Sequence, residues 1–312
     1  MDNVQLVNKI CDEVINGPDI DERGLERMHY DISGYKLFAR RNHIQANAVF
    51  NGMKIHWHDE IEIIYVRSGH MKYRVNEHIV PLNKGEGIIV NSRQLHIMQS
   101  CDVDYEVDCV IFHPEMLCAS EHIKKRYVEP VINTKMPEYM LVDQSLSGGR
   151  TVIDGIGKLV ELAYVKDMEM EAQALLFSMW HAIYNMCCHQ VVQETVDYDE
   201  LQSMRTMLEY IYMHYADRIT IADICKVGQI GKSVCTKMFT DYTNYSPIEF
   251  VRQFRVSKSM ELLKNTSLSI TEIAYEVGFN NASFYTETFK KLRGITPKEF
   301  RKSCGVNCDM EG

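Results

Sequence analysis

Two hydrophobic periodicities divide this chain. Between residues 36 and 112, apolar runs of four to seven residues alternate with turn-forming residues, as in EIEIIYVRSG, HMKYRVNEHIV, GEGIIVN and VDYEVDCVIF. Gly69, Asn76-Glu77, Asn83-Lys84-Gly85 and Asn91-Ser92 punctuate them. Short runs bounded in this way predict a small antiparallel barrel or jelly roll rather than a parallel sheet. Beyond residue 113 the period lengthens to that of a helix. Ile153, Ile156, Val160 and Ala163 make one stripe. Leu175, Leu176, Met179, Trp180, Ile183, Tyr184 and Cys187 make a second. SLSGGRT reads as the loop before them, QVVQETVDYDE (190–200) as a linker, and residues 2–16 as an amphipathic surface helix.

The last hundred residues carry one helical unit twice. TIADICKVGQIGKSVCTKMFTDYTNYSPIEF and SITEIAYEVGFNNASFYTETFKKLRGITPKEF align at an offset of 49 before their turn and 50 after it. Each predicts a short helix, a tight turn and a second helix, the arrangement that sets a reading helix in the major groove of DNA. In the second copy Ser269 or Thr271 can cap the first helix, and Asn280 or Asn281 the next. Gly278 suits the left-handed residue that ends a helix. Phe284, Tyr285, Phe289 and Leu292 form the expected buried stripe. In the first copy Gly228 falls one residue early, so its turn looks less regular. PIEFVRQFRVSKSMELLKN between the copies reads as one long helix, roughly 27 Å at 1.5 Å per residue. Such a spacer sets two reading helices on the order of one DNA turn apart, about 34 Å.

Charge sharpens this picture. The whole chain carries −9, but residues 200–303 hold 15 Lys+Arg against 11 Asp+Glu. Residues 1–199 hold 19 against 30. The basic excess therefore lies in the repeat, where phosphate contact needs it. No apolar run approaches a membrane span, and no signal-peptide pattern opens the chain. The ten cysteines are scattered, which fits reduced thiols in a cytoplasmic protein. Cys304 and Cys308 lack the second pair that a structural zinc needs.

The repeat resembles the DNA-binding domain of the AraC family of bacterial transcription regulators. Ile273-Ala274-Tyr275-Glu276-Val277-Gly278-Phe279, Phe289-Lys290-Lys291, Gly294-Ile295-Thr296-Pro297 and Phe300-Arg301-Lys302 carry the likeness. By position, the resemblance implies DNA contacts from Lys232, Ser233, Thr236 and Lys237, then Asn281, Ser283, Thr286, Glu287 and Lys290. Glu287 departs from the basic or neutral residue expected there; it can accept from cytosine N4 or repel phosphate. The resemblance also implies promoter DNA, RNA polymerase and a second subunit as partners, with the helical hairpin, its second helix above all, as the dimer surface.

Within the strand region stand His56-Trp57-His58, Glu62, Gly69 and a distant His96. On a strand His56, His58 and Glu62 share parity and face one side together. This spacing resembles the two motifs of the cupin fold, and the segment before His96 resembles the AraC sensing domain. Two readings stay open. His56, His58, Glu62 and His96 can coordinate a divalent metal. Alternatively these residues, with Tyr73, line a pocket for a polar small molecule, of which sugars are the family's commonest. Trp57, Tyr65, Arg67 and Arg93 are further pocket candidates, or face outward.

The expected molecule is α+β. It has an N-terminal helical arm (1–30), a cupin-like effector-sensing barrel (31–113), a helical connector and dimerisation region (114–195), and an all-α domain with two helix-turn-helix units (200–303). The expected function is effector-controlled transcription regulation, more often activation, without enzymatic activity or a required cofactor. The alternative is a metal-dependent cupin enzyme carrying a DNA-binding tail.

Overall fold

The computed structural model describes Glu26, Tyr30 and residues 35–46, 55–99, 101–135, 137–189 and 198–303. The amphipathic segment 2–16, most of the linker 190–200, and Cys304 and Cys308 lie outside them. The chain divides into two compact units, one built mainly from residues 55–197 and the other from 198–312.

The first unit is antiparallel β with a helical layer. Its strands are β1 (Leu37–Ile44), β2 (Ile61–Ser68), β3 (His70–Val75), β4 (His78–Asn83), β5 (Gly87–Val90), β6 (His96–Gln99), β7 (Tyr105–Phe112) and β8 (Tyr139–Val142). They form a five-stranded sheet in the order β1-β7-β2-β5-β8 and a three-stranded sheet in the order β4-β3-β6. β8 lies beyond the expected end of the barrel at residue 113 and pairs with β5, Gly87 opposite Val142. It escaped the periodic reading because it is four residues long, inside a stretch of helical period.

β2 reads as an almost continuous apolar run because both of its faces are covered. Ile61 and Ile63 face outward onto helices α1 (Gly149–Leu162) and α2 (Glu169–His189). α1 begins inside the GGRT segment expected as loop. The second apolar stripe, expected at a dimer surface, is spent inside the subunit. Leu176, Met179, Trp180, Ile183 and Cys187 of α2 are buried in the core beneath the five-stranded sheet. Its outer face is apolar and needs this cover, and each such side chain contributes about 1.5–3 kcal/mol on burial. The face that α2 leaves exposed holds Met170, Ala174, Phe177, Ser178, His181 and Asn185.

The second unit is all helical: α3 (Tyr198–His214), α4 (Ile221–Gly228), α5 (Lys232–Thr243), α6 (Pro247–Asn265), α7 (Ile270–Glu276), α8 (Ala282–Arg293) and α9 (Pro297–Ser303). Several of these helices are too short to persist alone, so their starts are firmly capped. Thr220 with Asp223, Ser246 with Glu249, and Ser269 with Glu272 form reciprocal boxes. Thr296 and Glu299 pair likewise, the Thr296 hydroxyl donating to the carboxylate at 2.8 Å and accepting from the Glu299 N–H at 3.2 Å.

The two turns are more alike than the glycines suggest. Gly278 sits at φ 86° and Gln229, 49 residues earlier, at φ 53°. The first copy thus places a glutamine in the left-handed position. Gly228 is instead the last residue of α4, where an added Cβ would lie 2.7 Å from Met207 Cγ.

Two substitutions test this reading. Gln229→Gly should stabilise the helical unit by roughly 1 kcal/mol, because only glycine adopts φ > 0 without steric cost. Gly278→Ala should destabilise it by more, since its Cβ would meet the Ala216 carbonyl oxygen at 2.7 Å. Urea titration followed by helical circular dichroism reads both; both tryptophans, Trp57 and Trp180, lie in the other unit and report it separately.

Candidate functional site

The barrel residues singled out by their spacing meet at one point. His56 and His58 do not lie on a regular strand; they lie in a short segment tied to β6 by an isolated bridge. The His56 N–H donates to the His96 carbonyl at 3.2 Å, and the His96 N–H donates back at 2.9 Å. β2 contributes Glu62, β3 Tyr73 and β7 Cys109. The His96 ring lies 4.4 Å from that of His56 and 4.7 Å from that of His58, centroid to centroid. All of these side chains are buried, with His58 and His96 at 1% exposure.

Glu62 is the hub. Tyr73 donates its phenolic proton to Oε2 at 2.8 Å, and the Cys109 thiol points at Oε1 from 3.6 Å. His96 Nε2 lies 3.1 Å and His58 Nε2 3.7 Å from Oε2. The other ring nitrogens fix the tautomers. His58 Nδ1 is 3.1 Å from the Glu60 carbonyl oxygen, and His96 Nδ1 is 2.8 Å from that of Gln94. A carbonyl only accepts, so both Nδ1 atoms carry hydrogen. In a neutral ring each Nε2 is then a bare lone pair. Both are buried without a hydrogen bond among the described residues, and both face a carboxylate. A proton or a cation relieves that repulsion.

The ionisation tendencies agree. Burial pushes the Glu62 carboxyl up, but the His96 charge and contacts with both histidines outweigh it and hold Glu62 well below the usual range. Burial pushes His58 down, and Glu62 outweighs it so that His58 ends raised. His96 is lowered, by burial and by the neighbouring His56.

Glu26 also reaches this cluster. Its Oε2 lies 3.2 Å from His56 Nε2. Glu26, His56, His58 and His96 each bring a donor atom within 4.8 Å of the others. Glu26 stands in a stretch without periodic pattern, so nothing in the sequence signalled it. The remaining pocket candidates point elsewhere. Tyr65 packs against the helical layer, Arg67 donates to Asp108 at 2.9 Å, and Arg93 donates to Asp59 at 2.6 Å. Trp57 is partly buried, and its carbonyl accepts from the Glu26 N–H at 3.0 Å.

In the helical unit, Lys232, Ser233, Lys237, Asn281, Ser283, Glu287 and Lys290 are exposed, and Thr236 and Thr286 partly so. Thr236 donates to the Lys232 carbonyl and Thr286 to that of Ala282, both at 2.9 Å. The two copies thus repeat even this bond, and each hydroxyl is left only to accept. Asn281 is the cap of α8: its Oδ1 accepts from the Phe284 N–H at 3.0 Å. Phe284 is not in the buried stripe as expected. It is 47% exposed, and Tyr285 and Phe289 take the core. Helical spacing leaves Phe284 at the edge of the apolar arc, and only the packing of α6 against α8 decides its side. Arg252 of α6, which sequence reasoning missed, lies over the Phe284 ring at 5.6 Å.

Residues 44–145 match the AraC-like ligand-binding domain, and residues 224–303 match a helix-turn-helix domain. A sensing domain and a DNA-binding domain in one chain define a ligand-responsive transcription regulator. The chain is 28% identical over 261 residues to the uncharacterized HTH-type transcriptional regulator YdeC of Bacillus subtilis, spanning 82% of this chain and 89% of that one. It is 22% identical over 249 residues to the HTH-type transcriptional activator RhaR of Mannheimia succiniciproducens, spanning 79% and 86%. Among solved structures, ToxT from Vibrio cholerae aligns over 87% of this chain and 99% of its own, at 15% identity and a TM-score of 0.42. The chain thus carries an AraC-like ligand-binding domain and a helix-turn-helix domain, and its relatives are named HTH-type transcriptional regulators. These are DNA-binding proteins and not enzymes, so the alternative of a cupin enzyme with a DNA-binding tail falls. No helix among the described residues is long and apolar enough to cross a membrane.

The buried cluster has a pH signature. His58 is raised in the folded state, so its contribution is full below its unfolded pKa, about 6.5, and is lost as pH rises through the folded value. In chelator, the melting temperature of the barrel unit should fall from neutral to alkaline pH. Glu62→Gln removes the buried charge and should flatten that slope. Parallel slopes in calorimetric scans of the two proteins would remove the assignment.

Proposed function

We propose that this protein is an effector-controlled activator that binds promoter DNA through α5 and α8. One observation carries the reading: two aligned helix-turn-helix copies in one compact unit expose the same outward positions, Lys232, Ser233, Thr236 and Lys237 against Ala282, Ser283, Thr286 and Glu287, with Asn281 and Lys290 flanking the second set. The basic excess of this region supports it, and so does activation as the named role of the relative RhaR. On this reading the protein works in the cytoplasm as a homodimer and engages RNA polymerase at the promoter. The exposed α2 face with Met170 and Phe177 is the surface left for a subunit contact.

The effector site is the cluster of His56, His58, Glu62, Tyr73 and His96. Its donors and acceptors suit a polar small molecule, such as a sugar, that satisfies the two bare Nε2 atoms by donating to them. The same residues fit a divalent transition metal. Both Nε2 atoms face into the cluster, and the backbone carbonyls of Glu60 and Gln94 orient the rings as supports of metal ligands do. His56, His58 and His96 would hold the ion with Glu62 or Glu26. When bound, the ion would supply the positive charge that the buried carboxylates lack. Effector control then requires that the ligand prefer one arrangement of the dimer over another, since equal affinity for both shifts nothing.

Two measurements test the proposal. Lys237→Ala should weaken binding to duplexes selected from a random pool and lower the slope of log affinity against log salt by about one, the loss of one phosphate contact. Unchanged affinity and slope would contradict the DNA assignment. Metal analysis of protein purified without chelator should find about one transition-metal ion per chain, lost in His58→Ala; an empty wild-type protein would leave the small-molecule reading alone.

A further inference from the structure

Each reading helix exposes one apolar side chain, and the two are the same position of the repeat. Val234 is 50% and Phe284 47% exposed. They lie 50 residues apart, and each is the third residue of its helix, in the first turn of α5 and of α8. Neither joins the core. That role falls to Cys235, Met238 and Phe239 in the first copy and to Tyr285 and Phe289 in the second. A single exposed apolar residue needs no explanation. Two at equivalent positions, both beside a serine on the surface read as the DNA interface, call for one.

We propose that Val234 and Phe284 read thymine through its 5-methyl group, one in each of two major-groove segments. The proposal rests on the DNA-binding reading of α5 and α8. The first turn of a recognition helix is the part that meets base edges. Among the groups displayed in the major groove, the thymine methyl is the apolar one, and aliphatic or aromatic contact is how proteins select it. The hydrogen-bonding groups nearby are partly committed. The Thr236 and Thr286 hydroxyl protons are spent on backbone carbonyls, and Asn281 Oδ1 is spent capping α8. The two threonines can therefore only accept from bases, and apolar contact adds discrimination beside the donors that remain.

Phe284 is the better prepared of the two. The Arg252 guanidinium sits 5.6 Å from its ring centroid, which restrains the ring and sets a cation beside it. Arg252, Phe284 and Glu287 share the wall of a cavity of about 480 Å³ with Phe279 and Arg255. That wall leaves the ring accessible and gives a neighbouring phosphate a positive partner. Val234 offers a smaller contact, so the second copy should discriminate more sharply than the first.

The test uses the full-length protein. Duplexes are selected from a randomised pool, and the winning duplex is resynthesised with uracil replacing thymine one position at a time. Uracil keeps every hydrogen-bonding group and lacks only the methyl. A buried methyl corresponds to roughly a fourfold change in affinity. The expected result is such a loss at thymines in two clusters about ten base pairs apart. Phe284→Ala should abolish the loss in one cluster and Val234→Ala in the other. Both side chains are half exposed, so folding should be retained; the uracil scan on the wild type does not depend on the variants. A retained duplex that binds equally well with uracil throughout overturns this inference alone. A penalty that persists unchanged in both variants does the same. Failure of the wild type to retain any duplex overturns the DNA-binding reading, and this inference with it.

Discussion

One helix holds the DNA-binding unit together. Among the described residues α6 packs against both helix-turn-helix copies, and its buried residues divide between them. Phe250 and Phe254 pack toward Tyr212 of α3, and Phe250 toward Phe239 of the first reading helix. Val256, Met260 and Leu263 join Ile273, Ala274, Tyr285 and Phe289 of the second copy. Ser259 is fully buried on the second-copy side, and its hydroxyl donates to the Val256 carbonyl at 2.7 Å. Helices of seven to twelve residues gain little from propensity alone. α6 buries their backs, and side-chain caps satisfy the starts of α4, α7 and α8.

The sensing unit obeys a different constraint. A carboxylate with 5% exposure must be compensated. Glu62 is contacted from four strands and segments at once: Tyr73 donates a hydrogen bond, His58 and His96 turn their Nε2 atoms to it, and Cys109 makes a weak thiol contact. None of these partners lies next to another along the chain. Unless the two sheets close on each other the cluster does not exist, which ties the binding chemistry to the integrity of the barrel. Glu26 adds a second, partly buried carboxylate, so the three imidazoles stand between two acidic groups. That arrangement is why the site favours a cation or a ligand rich in donors.

Much of this was legible from pattern. The offset of 49 and then 50 located both helix-turn-helix copies, and the caps at Ser269 and Asn281 were among the residues expected for them. The parity of His56, His58 and Glu62 brought them together even though the first two sit in an irregular segment, because an extended backbone preserves alternation without a ladder. Three expectations failed for physical reasons. The stripe of α2 looked like an interface because apolar periodicity does not say which apolar surface it meets; the outer face of the five-stranded sheet claimed it. Gly228 looked like the turn residue because glycine is the usual occupant, yet Gln229 takes the left-handed conformation and Gly228 makes room for Met207. Phe284 reads as core because it is aromatic and at a boundary position, where the geometry of α6 decides.

Apart from β8 and Glu26, the kind and order of the elements, the duplicated helix-turn-helix unit and the residue types of the sensing cluster were set by the pattern along the chain. All of these follow from local periodicity, capping chemistry and spacing along one strand or helix. Folding decided which apolar faces were consumed inside the subunit, that Glu26 joins the histidines, which imidazole nitrogens face Glu62, and that Val234 and Phe284 stand out from the reading helices. Those outcomes depend on contacts between segments far apart in the chain, and side-chain period carries no information about what lies opposite.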